Sequence, residues 1–145
     1  MDRAVTIQLS EAALENIRRE GERAYPAECC GVLAGQAGQT KTVLRLLPVP
    51  NRRTDSPHRY LIGAEDLQRA AAELLEAGLE VLGFYHSHPD HPAIPSDFDT
   101  EHAWPWYSYL IVQVQQGRAG EAASWQLAPD RSAMLPEFLD VLSEV

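Results

Sequence analysis

The segment from His86 to Asp99, His-Ser-His-Pro-Asp-His-Pro-Ala-Ile-Pro-Ser-Asp-Phe-Asp, has residue types and spacing suited to binding a metal ion. On a β-strand, residues two apart point to the same face, so His86 and His88 can bring two imidazoles to one point. The chain then enters a proline-rich loop, and Asp99 follows His88 by eleven positions. That short return can supply a carboxylate to the same point, so the three side chains form a predicted metal site.

Two histidines and one carboxylate form a common shell for catalytic zinc, in which the fourth tetrahedral position is left for water. Zinc lowers the pKa of bound water from about 16 to about 7, but hydrolysis also needs a base and a donor for the oxyanion. Ser96 lies three residues before Asp99, close enough to direct its hydroxyl beside the metal. Glu28 is the best candidate for the base, because it directly precedes an apolar strand that could deliver its carboxylate to a sheet edge.

These residues resemble the JAMM (MPN-plus) metallopeptidase family. Its pattern is a glutamate near a first strand, then His-x-His, then Ser-x-x-Asp, with ten residues between the second histidine and the aspartate. Glu28, His86, His88, Ser96 and Asp99 fill every position of this pattern. The flanking segments Pro-x-Glu-x-x-Gly, Gly-Phe-Tyr-His-Ser-His-Pro and Tyr-Leu-Ile-Val also resemble the family, and the resemblance covers nearly the whole chain.

The resemblance implies that His86, His88 and Asp99 bind Zn²⁺, that Glu28 is the general base, and that Ser96 steadies the tetrahedral intermediate. It also implies an α/β fold, a three-layer sandwich with a mixed central sheet related to that of cytidine deaminases. The chain lacks the length for the loops with which the deubiquitinating branch grips ubiquitin, and it is more similar to the small bacterial stand-alone members.

Those small members are associated with ubiquitin-like sulfur-carrier proteins that end in a Gly-Gly tail. By resemblance, the expected substrate is therefore the tail of such a protein, or a similar peptide, and the expected reaction is hydrolysis of a peptide or isopeptide bond. Two rival interpretations remain. One is a non-catalytic MPN-type scaffold for protein–protein interaction, whose members usually lack one or more ligands. The other is a RadC-like protein associated with DNA repair, which shares a His-x-His-Pro motif followed by an aspartate.

The elements that must position these residues can be predicted from hydrophobic periodicity. Helical spacing predicts helices at residues 10–23 and 67–77, and a closing amphipathic helix that contains Leu135, Phe138, Leu139 and Leu142. Apolar runs predict strands at residues 31–35, 42–47, 60–62, 81–88, 107–114 and 121–127. Helices and strands interleave, which favours an α/β fold around a mixed sheet. The predicted strand at residues 81–88 contains His86 and His88 at its C-terminal end.

Composition limits the function further. The 145 residues fit one domain, residues 1–145, and the 45% hydrophobic content is that of a folded globular protein. Because 21 acidic residues outnumber 12 basic ones, the net charge is −9, which disfavours nucleic acid as a partner. No run approaches the roughly 20 apolar residues that span a bilayer, and the N-terminus lacks a signal-peptide core, so we expect a cytoplasmic protein without membrane contact. The sequence leaves the oligomeric state open.

Other reactive side chains have simpler interpretations. Cys29 and Cys30 flank Glu28 and could indicate thiol chemistry, but buried and inert cysteines are more usual beside an apolar strand. His91, Asp90 and Asp97 lie in or near the loop and are interpreted as surface residues. No role is assigned to His58 or His102, and the three tryptophans, Trp104, Trp106 and Trp125, are expected in the core or at its rim.

Overall fold

The computed structural model describes residues 6–53 and 60–143. Strands and helices are interspersed in the first two thirds of the chain, which ends in three consecutive strands. In chain order they are β1 (Thr6–Ser10), α1 (Glu11–Ala24), β2 (Cys30–Gln36), β3 (Lys41–Val49), α2 (Ala64–Glu76), β4 (Glu80–Pro89), α3 (Asp97–His102), β5 (Ser108–Gln115), β6 (Arg118–Leu127) and β7 (Met134–Leu142).

The seven strands form one mixed sheet in the order β1-β3-β2-β4-β5-β6-β7. The pairs β1–β3, β1–β7 and β4–β5 are parallel, whereas the other four pairs are antiparallel. Because β1 pairs with both β3 and β7, the sheet closes on itself. The predicted α/β class and mixed sheet are confirmed. The closed topology does not by itself confirm the predicted three-layer sandwich, which requires an open central sheet.

The two longer helices pack on opposite faces of β4. Helix α1 begins where the Ser10 hydroxyl accepts a hydrogen bond from the Ala13 amide at 3.0 Å, and its apolar stripe joins a core cluster that contains Tyr85. Helix α2 contributes Leu74 to a second cluster, which contains Phe84. Phe84 and Tyr85 are neighbours on β4, so their side chains point to opposite faces. None of the described helices is both long and apolar enough to cross a membrane.

Strand β4 lies at the centre of the sheet, between antiparallel β2 and parallel β5. Its residues from Leu82 to Pro89 are all buried. A strand that is paired on both sides and buried on both faces is the most rigid support that a sheet offers. The predicted metal-binding histidines are at the C-terminal end of this strand.

Several predicted elements differ in the structure. The predicted closing helix is wrong: residues 134–142 form strand β7, which pairs with β6 on one side and with β1 on the other. Backbone pairing on both sides outweighed a spacing of apolar residues that suits a helix equally well. Residues 60–62 are not part of a strand, and β1 and the short α3 were not predicted. The two earlier helices and the other five strands are confirmed within a few residues.

Candidate metal centre

Three of the predicted ligands converge on one point. The Nε2 atoms of His86 and His88 are 3.2 Å apart, and they lie 3.3 and 3.1 Å from Oδ2 of Asp99. Zinc bonds of about 2.0–2.1 Å in tetrahedral geometry separate neighbouring ligand atoms by about 3.3 Å. The spacing and the chemistry of this donor set therefore fit a zinc-sized ion, and three ligands leave one position of a tetrahedral shell.

The orientation of His88 is set by a hydrogen bond from its other ring nitrogen. Nδ1 of His88 lies 2.8 Å from the carbonyl oxygen of Pro92. A carbonyl can only accept, so Nδ1 carries the proton and the lone pair of Nε2 faces Asp99. The loop that follows β4 thus returns to hold a side chain of the strand, and it selects the tautomer that can bind a metal.

His86 is oriented in a different way. Its Nδ1 atom is buried and has no hydrogen-bond partner among the described residues. Instead, the ring of Tyr60 stacks against the imidazole with a centroid separation of 4.3 Å and an interplanar angle of 22°. Burial lowers the pKa of His86, although the charge of Asp99 acts in the opposite direction. The neutral imidazole, which is the form that binds metals, is therefore favoured.

Asp99 is held by the N-terminus of α3. Its amide donates to Oγ of Ser96 at 3.1 Å, and the Ser96 amide donates to Oδ2 of Asp99 at 3.0 Å, so the two residues form a capping box. Burial alone would raise the pKa of Asp99, but the two imidazoles and the Ser96 amide together hold it far below its usual value. The capping role of Ser96 was missed in the sequence, although Ser-x-x-Asp is close to the known capping signature.

Glu28 lies two residues before the start of β2, at the same end of the sheet as His86. Its side chain is 4% exposed, and Oε1 has no hydrogen-bond partner in the part of the chain that the structure describes. The next residue is tied to β4, because the Cys29 amide donates to Oγ of Ser87 at 2.9 Å. Burial, together with the negative charge of Asp99, raises the pKa of Glu28 to about 9. Glu28 is thus near the metal ligands without belonging to their cluster.

An apolar cavity of about 220 Å³ opens beside Asp99. Its lining combines segment 60–62 with side chains of α2, α3, β4 and β5 and of the loop between α3 and β5. The lining residues are Tyr60, Leu61, Ile62, Leu67, Phe84, Phe98, Asp99, His102, Trp104 and Tyr109. Tyr60 and Tyr109 were not predicted as parts of the site, because they lie outside the segment from His86 to Asp99 and carry no spacing that links them to it. Phe98 directly precedes Asp99, but its position in the cavity wall was not predicted.

The remaining reactive residues lie outside the ligand cluster. His91, Asp90 and Asp97 are exposed, as predicted, although Asp90 also accepts a hydrogen bond from the Tyr25 hydroxyl at 2.6 Å and Asp97 begins α3. His102 is exposed and stacks on Phe98. His58 lies outside the described residues.

Both cysteines are free, with Cys30 buried and Cys29 half-buried. Burial raises the pKa of Cys29 to about 11 and that of Cys30 to about 12. Thiols with such values are poor nucleophiles at neutral pH. The prediction that the cysteines are packed agrees with the structure, and their lack of reactivity stays a prediction. Among the tryptophans, Trp104 and Trp106 are exposed at the rim, and the Trp125 indole donates to the carbonyl of Ala93 at 3.1 Å.

Comparison with known proteins relates this centre to a family. The profile of the prokaryotic homologues of the JAB domain matches residues 10–128. The chain is 37% identical over 102 residues to a desampylase of Haloferax volcanii, covering 70% of this chain and 73% of that protein. It is 32% identical over 115 residues to a probable TtuB-protein conjugate cleaving protease of Thermus thermophilus, covering 79% and 75% of the two chains. The solution structure of a Desulfitobacterium hafniense protein superposes with a TM-score of 0.83 at 28% identity, covering 96% and 94%.

Proposed function

Because the chain belongs to the prokaryotic JAB-domain family, whose members include JAMM-type peptidases, we propose that it is a zinc-dependent isopeptidase that acts on conjugates of a ubiquitin-like protein. The observation that carries this proposal is that the ligand atoms of His86, His88 and Asp99 lie close enough together to bind one metal ion. Two relatives support the substrate class, since one is named a desampylase and the other a protease that cleaves TtuB-protein conjugates. The specific substrate we propose is the C-terminal tail of a sulfur-carrier-type protein.

In this proposal, Nε2 of His86, Nε2 of His88 and Oδ2 of Asp99 hold the zinc ion. Bound zinc would polarise the scissile carbonyl and lower the pKa of a water to about 7. The positive charge of the ion would also lower the pKa of Glu28, against the effect of burial. The lowered pKa of His86 favours its neutral imidazole, and the lowered pKa of Asp99 favours its carboxylate, which are the forms that bind a metal ion.

Glu28 is the proposed general base. It takes a proton from the attacking water and returns that proton to the leaving nitrogen, so the carboxylate ends the cycle in its starting form. A carboxyl that lacks a hydrogen-bond partner among the described residues is available to exchange a proton in this way. Burial keeps bulk water from competing for the proton.

Ser96 is the proposed donor to the oxyanion. Its Oγ already accepts the Asp99 amide, and the hydroxyl hydrogen can still be donated, because one hydroxyl can do both at once. Ser96 is exposed at the start of α3, where a substrate carbonyl can approach it. Loss of one such donor typically costs roughly 3–4 kcal/mol of transition-state stabilisation.

The test is cleavage of a conjugate in which a ubiquitin-like sulfur-carrier protein ending in Gly-Gly is joined to a lysine of a second protein. We expect the zinc-loaded wild type to release both proteins, and Glu28→Gln to retain zinc but lose at least about 10²-fold of the rate. The matched control is Glu121→Gln, which changes an exposed glutamate of β6 and should cleave at the wild-type rate. Cleavage at the wild-type rate by Glu28→Gln would exclude the base role, and no cleavage by any zinc-loaded variant would exclude the function.

A further inference from the structure

We infer that Asn51 is a positioning residue of the active site, an inference that rests on the proposed function. Asn51 lies two residues beyond the last residue of β3, and its side chain bonds to two separate segments of the chain. Nδ2 donates to the carbonyl oxygen of Glu28 at 3.1 Å, while Oδ1 accepts from the Leu61 amide at 2.9 Å. Oδ1 also accepts from the Arg53 amide at 3.0 Å. One amide group thus joins the segment of the proposed base to the segment at residues 60–62.

The bond to Glu28 matters because the carboxylate has little else to direct it. Oε1 of Glu28 is buried and makes no hydrogen bond to any described residue, so the position of its main chain determines where the carboxylate points. Among the described residues, two side chains contact that main chain: Ser87 accepts from the amide of Cys29, and Asn51 donates to the carbonyl of Glu28 itself. Removal of the Asn51 donor would leave the peptide group between Glu28 and Cys29 with the Ser87 contact at its amide but without the Asn51 contact at its carbonyl.

The bond to Leu61 acts on the other side of the site. The residue before Leu61 is Tyr60, whose ring stacks on His86. The imidazole of His86 has no hydrogen bond through Nδ1 to the described residues, and the stacked ring takes the place of that support. The segment is also tied at the same point by the Arg52 amide, which donates to the Leu61 carbonyl at 2.9 Å. Asn51 therefore fixes the distance between the base and the support of one metal ligand.

The bonding pattern requires an asparagine. Among the described residues, the partners of Oδ1 are backbone amides, which only donate, and the partner of Nδ2 is a carbonyl, which only accepts. Aspartate would keep the acceptor but lose the donor to Glu28, and alanine would lose both. Asn51→Asp therefore removes only the contact with Glu28, whereas Asn51→Ala removes the contacts with both segments.

The kinetic test compares Asn51→Ala with Asn16→Ala, which changes the chain's one other asparagine, an exposed residue of α1. We expect Asn51→Ala to lower kcat by about tenfold or more with KM changed less than about twofold, because misplacement of a reacting group by about 1 Å costs up to about 10²-fold. In the Glu28→Gln background, Asn51→Asp, which removes only the donor to Glu28, should lower kcat no further. A rise in KM alone, or an additive loss in the double variant, would overturn the inference.

A second measurement needs no substrate and no metal. Hydrogen exchange of the Leu61 amide should accelerate by about tenfold or more in Asn51→Ala, stay near the wild-type rate in Asn51→Asp, and stay unchanged in Asn16→Ala. Equal exchange in all variants would contradict the hydrogen bond between Asn51 and the Leu61 amide. If zinc-loaded wild type cleaves no conjugate, the proposed function fails, while this measurement still decides whether that hydrogen bond exists. Should Asn51→Ala not fold, Asn51→Asp carries the kinetic test, since it also lacks the donor to Glu28.

Discussion

Ser96 and Asp99 cap each other, and the oxygen of Asp99 that accepts the Ser96 amide is the same Oδ2 that faces both imidazoles. The start of α3 and the metal centre are therefore one structure. The hydroxyl of Ser96 completes the cap through the Asp99 amide at 3.1 Å. A change at Ser96 must then affect the position of a ligand as well as any direct contact with substrate.

The first prediction follows from this shared oxygen. Ser96→Ala should weaken zinc binding measurably and lower the free energy of unfolding of the zinc-free protein by about 1 kcal/mol, the usual cost of a lost helix cap. Ser96→Thr keeps the hydroxyl and should retain most of both. Zinc affinity can be measured by competition with a chelator, and stability by urea denaturation. Zinc affinity that is the same in Ser96→Ala and the wild type would show that the cap does not position the ligand.

A second prediction concerns the close contact between β2 and β4. A methyl group added at Gly31 would overlap the buried ring of Tyr85, whereas one added at Gly120 on β6 would meet no atom within 4 Å. Gly31→Ala should therefore cost about 1–3 kcal/mol of stability, the usual cost of overpacking, and Gly120→Ala should cost almost nothing. The midpoints of urea denaturation of Gly31→Ala and Gly120→Ala provide the comparison. Equal midpoints would mean that Tyr85 has space to move away.

A third prediction gives the pH dependence of one ion pair at the start of α2. Arg52 donates to Asp66 from Nε at 2.8 Å and from Nη2 at 3.1 Å, and this contact, with the nearby charge of Arg69, lowers the pKa of Asp66. A carboxyl whose pKa is lower in the folded protein stabilises the fold above its unfolded pKa of about 4, and the stabilisation is lost as the pH falls through the folded value.

Asp66→Asn should accordingly have a lower Tm than the wild type at pH 7, and the difference should narrow below about pH 4. Glu65→Gln is the matched control, because Glu65 is exposed in the same helical turn. Thermal denaturation from pH 3 to pH 8 provides the comparison. A difference in Tm that stays constant over this range would attribute the effect of Asp66→Asn to packing and not to charge.

A fourth prediction separates zinc chemistry from thiol chemistry. Burial raises the pKa of Cys29 to about 11 and that of Cys30 to about 12. At pH 8 the folded protein should react with iodoacetamide at least about tenfold more slowly than the protein unfolded in urea. Cys29→Ser should also cleave conjugates at close to the wild-type rate. Rapid alkylation of the folded protein, with matching loss of cleavage, would indicate a cysteine nucleophile.

The ligand cluster could be predicted from sequence because local geometry determines most of it. His86 and His88 share a face by the period of a strand, and only a short loop separates them from Asp99. Glu28 was predicted as the base only because an apolar strand follows it and because the family pattern contains a glutamate there. Its partner Asn51 is 23 residues away and has no recognisable spacing.

The features that could not be predicted from the sequence depend on contacts between segments that are distant in the chain. The stacking of Tyr60 on His86 follows from where the chain returns after β3, which no periodicity records. The strand β7 was predicted as a helix because the apolar spacing from Leu135 to Leu142 suits both structures. Its final structure was decided by the free edges of β1 and β6, to which β7 pairs on either side.

The central claim is that His86, His88 and Asp99 form a zinc site, and the most direct test is metal content by native mass spectrometry. Protein purified without chelator and then supplied with zinc should carry about one zinc ion per chain. His88→Ala should carry none, and His91→Ala, which changes an exposed histidine of the same loop, should still carry one. A wild-type chain that binds no zinc, or a His88→Ala chain that binds as much as the wild type, would contradict the claim.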